Sequence, residues 1–100
     1  MGKVYLLTNN NGFYKIGVTK GDIDRRIKSL QTGNPNKIEL VNYYESNNYR
    51  KIESWFHRIY EDIRLEGEWF LLNEDHINNF LLEAENINNK VNALKNNPFF

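Results

Sequence analysis

The side chains whose types and spacing could do chemistry are a phenol at Tyr5, an ammonium at Lys15, guanidinium groups at Arg25 and Arg26, a carboxylate at Glu53 and an imidazole at His57. Tyr5 and Lys15 fall in two apolar runs flanking an Asn-Gly step. An ammonium held close to a phenol favours loss of the phenolic proton, while burial opposes it. A tyrosine in such surroundings could take a proton from water. Gly17, two residues after Lys15, fits a point where a substrate backbone comes close. The same pattern equally fits a lysine extending from an exposed face and a glycine at a bulge. Glu53 and His57 are four apart, hence one turn apart on one helix face. A carboxylate there suits a hard cation, and an imidazole suits proton transfer or phosphate contact. Two ligands do not close a zinc site, and a solvated helix contact is the alternative. Adjacent helical positions point about 100° apart, so at most one of Arg25 and Arg26 faces a given site. An arginine there could brace a pentacoordinate phosphate; its alternative is an exposed arginine.

The elements that must position these groups are legible from periodicity. "KVYLLT" (3–8), "NNNG" (9–12) and "FYKIGVT" (13–19) read as strand, turn and strand. An odd-length loop pairs Val4 and Leu6 with Tyr14, Ile16 and Val18 as one apolar face. It leaves Tyr5 beside Lys15 and Gly17 on the other, with Gly12 in a left-handed bulge. Residues 21–33 form a short helix with Asp22 as N-cap, Ile23, Ile27 and Leu30 on one side, and Gly33 and Pro35 as stop. Residues 37–45 form a third strand. Tyr49, Ile52, Phe56, Ile59, Tyr60 and Ile63 make a helical stripe over 47–64. "EWFLL" (68–72) is a short strand. Asn73 opens a last helix with Ile77, Phe80, Leu81, Ala84, Ile87, Val91 and Leu94 on one side. The predicted class is α+β: a small antiparallel, mostly three-stranded sheet flanked by helices, in the order ββαβα plus a short strand and a C-terminal helix. Residues 1–73 read as the core. Residues 74–100 read as a helix and tail packed on or extending from it.

Bulk properties narrow the function classes. A chain of 100 residues is one domain, and the 14 aromatic residues help fill its core. With no cysteine, disulfides and thiolate metal sites are excluded, which fits an intracellular protein. No apolar run approaches the roughly 20 residues of a membrane span, and neither a secretory leader nor a myristoylation signal is expected. Net charge is zero, against indiscriminate coating of nucleic acid. Residues 1–50 nevertheless carry eight Lys/Arg and four Asp/Glu, and residues 51–100 five and nine. A basic half could face phosphates while the acidic half faces water or holds a metal. The many asparagines read as compositional bias at solvated positions.

Taken in order, "KVY" (3–5), "KIGVT" (15–19), "RRIKSLQTG" (25–33), "ESWFH" (53–57) and "GEWF" (67–70) resemble the GIY-YIG nuclease superfamily over about residues 3–72. The resemblance is strongest to the subgroup found in phage proteins and in a meiotically up-regulated fungal protein. Tyr5 matches the tyrosine of "GIY", with Lys3 and Val4 in place of its glycine and isoleucine. Ile16 and Gly17 match the end of "YIG", and Lys15 stands where its tyrosine is usual. Arg26 matches the family arginine, with Arg25 as the fallback, Glu53 the metal-holding glutamate, and His57 the subgroup histidine. The resemblance implies hydrolysis of DNA phosphodiester bonds with one Mg²⁺ or Mn²⁺ at Glu53. In that scheme Tyr5, aided by Lys15, activates water, Arg26 stabilises the transition state, and His57 contacts phosphate or relays a proton. Gly17, Lys20, Arg25, Lys28 and Lys37 would meet the DNA backbone. "GEWF" is expected to support the site by packing Trp69 and Phe70, with Glu68 outside the chemistry. DNA is the implied partner, with no membrane and no nucleotide cofactor. A second copy or a separate protein would supply sequence specificity. The rival readings are the same fold as a binding module without catalysis, and a plain interaction domain.

Overall fold

The computed structural model describes residues 1–96; the expected tail at 97–100 lies outside them. Strands β1 (Gly2–Thr8) and β2 (Tyr14–Thr19) form the predicted hairpin. Val4 pairs with Val18, Tyr5 with Gly17 and Leu6 with Ile16, the register of an odd loop. Asn10 and Gly12 turn the chain with φ of 64° and 83°, the left-handed region that Asn and Gly tolerate best.

Strand β3 (Glu39–Ser46) pairs with β1, and the two-residue β4 (Trp69–Phe70) pairs with β2. The result is a four-stranded antiparallel sheet in the order β3-β1-β2-β4. The short strand expected at 68–72 thus becomes the fourth member of a sheet expected to have three main strands.

Central β1 is buried on both faces, which is why "VYLL" runs continuously apolar. Val4 and Leu6 join Ile16, Ile52, Phe56, Phe70, Phe80, Ala84, Ile87 and Val91 in the larger core. Tyr5 and Leu7 join Ile38 in a smaller core, covered by Ile23, Ile27 and Leu30. The sheet therefore separates two helical layers. On one side lies α1 (Ile23–Gln31), capped by the Asp22 side chain, which accepts from the Asp24 and Arg25 amides. On the other lie α2 (Tyr49–Ile59) and α4 (Phe80–Lys95).

The helix expected over 47–64 stops at Ile59, and a single 3₁₀ turn follows at Glu61–Ile63. The last helix is also broken. A short α3 (Glu74–Asn78), opened by a capping box between Asn73 and His76, gives way at Asn79 to α4. The Asn79 side chain donates to the Asp75 carbonyl, the local competition with backbone that makes asparagine a helix breaker.

Two polar clusters hold the connections. Asn48 donates to Asn88 (2.9 Å) and Asn92 (2.8 Å) and accepts from Lys95, while Ser46 donates to Asn88 (2.6 Å). These asparagines dock α4 on the start of α2, so they are not merely filling solvated positions. Gln31 similarly fastens the loop after α1. Its Nε2 donates to the carbonyls of Asn34 (3.2 Å) and Asn36 (2.9 Å), and its Oε1 accepts from the Ile38 amide (2.8 Å). Gln31→Ala should therefore cost about 2 kcal/mol in urea unfolding. A loss under about 0.5 kcal/mol, the level of an ordinary surface change, would show that the loop holds itself.

Candidate active site

Because β4 pairs only with Tyr14 and Lys15, the backbone of Ile16 lies where the β2–β4 ladder ends. Its amide donates to the Glu68 carbonyl (3.3 Å), and its carbonyl lies 2.9 Å from His57 Nε2. A carbonyl only accepts, so Nε2 carries a ring hydrogen, and whenever the ring is neutral the lone pair is on Nδ1. The edge-on packing of His57 against Phe70, with centroids 5.0 Å apart, fixes the ring further.

Glu53 stands one turn earlier on the same helix. Its carboxylate is half-buried, and its Oε2 is enclosed without a hydrogen-bond partner. Burial raises its pKa above the ordinary carboxylate value, and the charge of Glu68 adds to that. His57, Lys15 and Arg50 act in the opposite direction. Ligand atoms of Glu53, His57 and Glu68 all lie within 4.8 Å of one another. Ligands at about 2.0–2.3 Å from one divalent ion stand up to roughly 4.5 Å apart, so little adjustment is needed. Two carboxylates and an imidazole, one oxygen of them lacking any partner, are a donor set that could hold a metal ion.

On the other side of the strand Tyr5 is 1% exposed. Its phenol lies over Gly17: a Cβ on Gly17 would stand 2.5 Å from Tyr5 Oη. Glycine is thus required here by the tyrosine ring, where the sequence pointed to close approach of a substrate backbone. Arg26 Nε donates to Tyr5 Oη at 3.4 Å. That hydrogen bond, then attraction to Tyr5, raises the guanidinium pKa, with a smaller contribution from Glu68.

Lys15 differs from the expectation. Its Nζ lies 2.8 Å from Glu68 Oε2 and 5.8 Å from the centre of the Trp69 ring. The cation at the Tyr5 phenol is Arg26, and Lys15 is engaged by an acid. Glu68 itself is the residue that sequence reasoning set aside. Its membership in the group depends on β4 pairing with β2, a contact between segments some 50 residues apart. A single acidic residue before two aromatics gives no signal of that.

The remaining basic residues divide. Arg25 and Arg26 both line a shallow concavity of about 230 Å³ with Thr19, Gly21, Asp22 and Ser29. Adjacent positions therefore do share this surface, although only Arg26 reaches Tyr5. Lys20 and Lys28 are exposed nearby on the α1 side. Lys37 is set apart on the β3 side of the sheet, 3.7 Å from Glu39, with its carbonyl accepting from Asn10 beside the hairpin turn. Among the described residues no helix is long and apolar enough to cross a membrane.

No solved structure matches the chain. It is 32% identical over 94 residues to "Uncharacterized protein 460R" of Invertebrate iridescent virus 6, an alignment covering 88% of this chain and 42% of the viral protein. The chain thus spans less than half the length of that relative. Residues 2–85 match the T5orf172 domain, a domain linked to nuclease-type proteins of the GIY-YIG and HNH-like kinds. That match takes in all of Tyr5, Lys15, Arg26, Glu53, His57 and Glu68, and the chain belongs to the T5orf172 domain family.

Proposed function

We propose that this protein is a metal-dependent endonuclease that hydrolyses DNA phosphodiester bonds. The observation that carries the reading is the continuity of the group around the end of the β2–β4 ladder. Arg26 meets Tyr5, Lys15 meets Glu68, and Glu68 lies with Glu53 and His57. The enclosed, partnerless oxygen of Glu53 fits a Mg²⁺ or Mn²⁺ ion. When bound, such an ion supplies charge stabilisation at the scissile phosphate and the leaving oxygen.

The chain's own residues do the rest. Ionised as the phenolate, Tyr5 Oη takes a proton from the attacking water and returns to the phenol, leaving hydroxide to attack the phosphorus. The Arg26 guanidinium, already at that oxygen, turns its remaining donors toward the phosphate. His57 is held by the Ile16 carbonyl with Nδ1 available to the reacting centre. Gly17 keeps the Tyr5 ring in place, and Lys20, Arg25 and Lys28 hold the DNA backbone without reading bases. Sequence choice is then left to another module or a second copy, as the greater length of the viral relative permits.

A second reading, a DNA-binding module without catalysis, is favoured by one observation: Lys15 already neutralises Glu68. Supercoiled plasmid with Mg²⁺ or Mn²⁺ separates the two. The endonuclease should nick it, and Tyr5→Phe and Arg26→Ala should each slow nicking about 100-fold. Retained DNA binding with no nicking by the wild type would establish the binding module instead.

A further inference from the structure

Lys15 occupies an acid that belongs to the metal-binding group, and this points to an exchange of cations. We propose that Glu68 is a direct ligand of the divalent ion, and that Lys15 is the resident cation which the ion displaces. The inference rests on the reading of Glu53 as a metal-holding residue and extends it to Glu68, grouped with Glu53 by proximity, and to Lys15, the ion-pair partner of Glu68.

Three observations carry it. A Glu68 carboxylate oxygen falls within 4.8 Å of the ligand atoms of both Glu53 and His57, so an ion placed at Glu53 and His57 meets Glu68 as well. Glu53 Oε2 has no hydrogen-bond partner, so the group keeps an unfilled acceptor even with Lys15 in place on Glu68. Lys15 Nζ sits 2.8 Å from Glu68 Oε2, close enough that an ammonium and a divalent ion on the same carboxylate would repel strongly.

Lysine suits a displaceable role. Its ammonium is a compact point charge on a flexible stem, where an arginine would hold the carboxylate with a rigid fork. The Trp69 ring beside it offers a cation–π contact that does not depend on Glu68. Lys15 also shares the sheet face of Tyr5 and Gly17, because residues two apart in a strand point the same way. Released from Glu68, its charge is free to meet the phosphate on that face. In the metal-free protein it keeps two neighbouring carboxylates from facing each other uncompensated. Lysine in place of tyrosine at this position thereby gains a function independent of the Tyr5 proton.

Mn²⁺ binding to the full chain without DNA, read by electron paramagnetic resonance of the free ion, tests this. Glu68→Gln should weaken binding at least tenfold. Lys15→Met should tighten it about tenfold, and the tightening should vanish when Lys15→Met is combined with Glu68→Gln. Lys90→Met, which removes an exposed lysine on α4, should change affinity less than twofold and so controls for net charge. Trp69 emission, isolated with Trp55→Phe, should shift on adding Mg²⁺, and the shift should be lost in Lys15→Met. Thermal melts confirm that each variant is folded. Glu68→Gln within twofold of wild type, while Glu53→Gln loses binding, overturns the inference and leaves the Glu53 site standing. Weaker binding in Lys15→Met also overturns it. If the wild type binds no Mn²⁺ at millimolar concentration, the metal reading of Glu53 fails and the inference falls with it.

Discussion

Glu53→Gln should reduce plasmid nicking by about 10³-fold and, in the same preparation, make the metal-free protein more stable at neutral pH. The two effects have one cause. A half-buried carboxylate with an enclosed, partnerless oxygen is costly to keep ionised, and in the proposed function that cost is retained because a cation needs the charge. Glutamine removes the charge while keeping the shape, so about 1 kcal/mol of stability should be gained. The sign with pH follows from the raised pKa, caused first by burial and then by Glu68. The folded protein binds the Glu53 proton more tightly than the unfolded chain does. Over the window between the ordinary carboxylate value of 4.5 and the raised one, folding stability therefore falls as pH rises. Above the window the penalty is fully present; below 4.5 it is gone. Melts at pH 4 should bring variant and wild type together, and melts at pH 8 should separate them in favour of the variant. Adding Mn²⁺ at pH 8 should stabilise the wild type alone, since binding only to the folded state raises its apparent stability. A variant less stable than wild type at pH 8 would mean that the carboxylate makes favourable contacts in the protein itself, and the cation-site reading of Glu53 would be lost.

What the sequence discloses here follows the range of the interactions involved. The hairpin register was legible because it depends on a loop and two alternating runs within 19 residues. The cap at Asp22 and the faces of α1 and α2 were legible for the same reason. Tyr5, Arg26, Glu53 and His57 were identifiable as types at spacings that local elements could present. The pairings within the site were not. Which cation meets the Tyr5 phenol depends on how α1 lies across the sheet, and that is decided by the packing of Ile23, Ile27 and Leu30 on Leu7 and Ile38. Whether Glu68 enters depends on β4 reaching β2. The asparagines show the same limit: the sequence displays an excess of them, and only the docking of α4 distinguishes Asn48, Asn88 and Asn92 from those facing water.

Gly17→Ala should destabilise the protein by about 3 kcal/mol, the upper range for forcing extra volume into a packed core. The added Cβ would stand 2.5 Å from Tyr5 Oη, 2.6 Å from Cζ and 2.9 Å from Cε1. Something must shift, and neither neighbour moves cheaply. The Tyr5 ring is enclosed by Leu7, Ile38 and the apolar face of α1. Gly17 is paired with Tyr5 in the middle of the hairpin, so its backbone is held by the ladder. The least costly escape is to lift α1, which would also draw Arg26 from the Tyr5 oxygen, so cleavage should fall with stability. Gly21→Ala is the control: nothing lies within 4 Å of its Cβ, and its effect should stay within about 0.5 kcal/mol. Tyr5→Phe should not rescue Gly17→Ala, because the ring carbon at 2.6 Å remains. Tyr5→Ala should, in that its cost added to that of Gly17→Ala exceeds the cost of the double variant. The experiment also decides between two explanations of the glycine. If Gly17→Ala keeps its stability but loses cleavage, the Tyr5 ring yields to the added methyl and the close approach that requires glycine is the substrate's. If both are lost together, the space belongs to Tyr5, and the demand for glycine at position 17 comes from the residue that the proposed chemistry depends on.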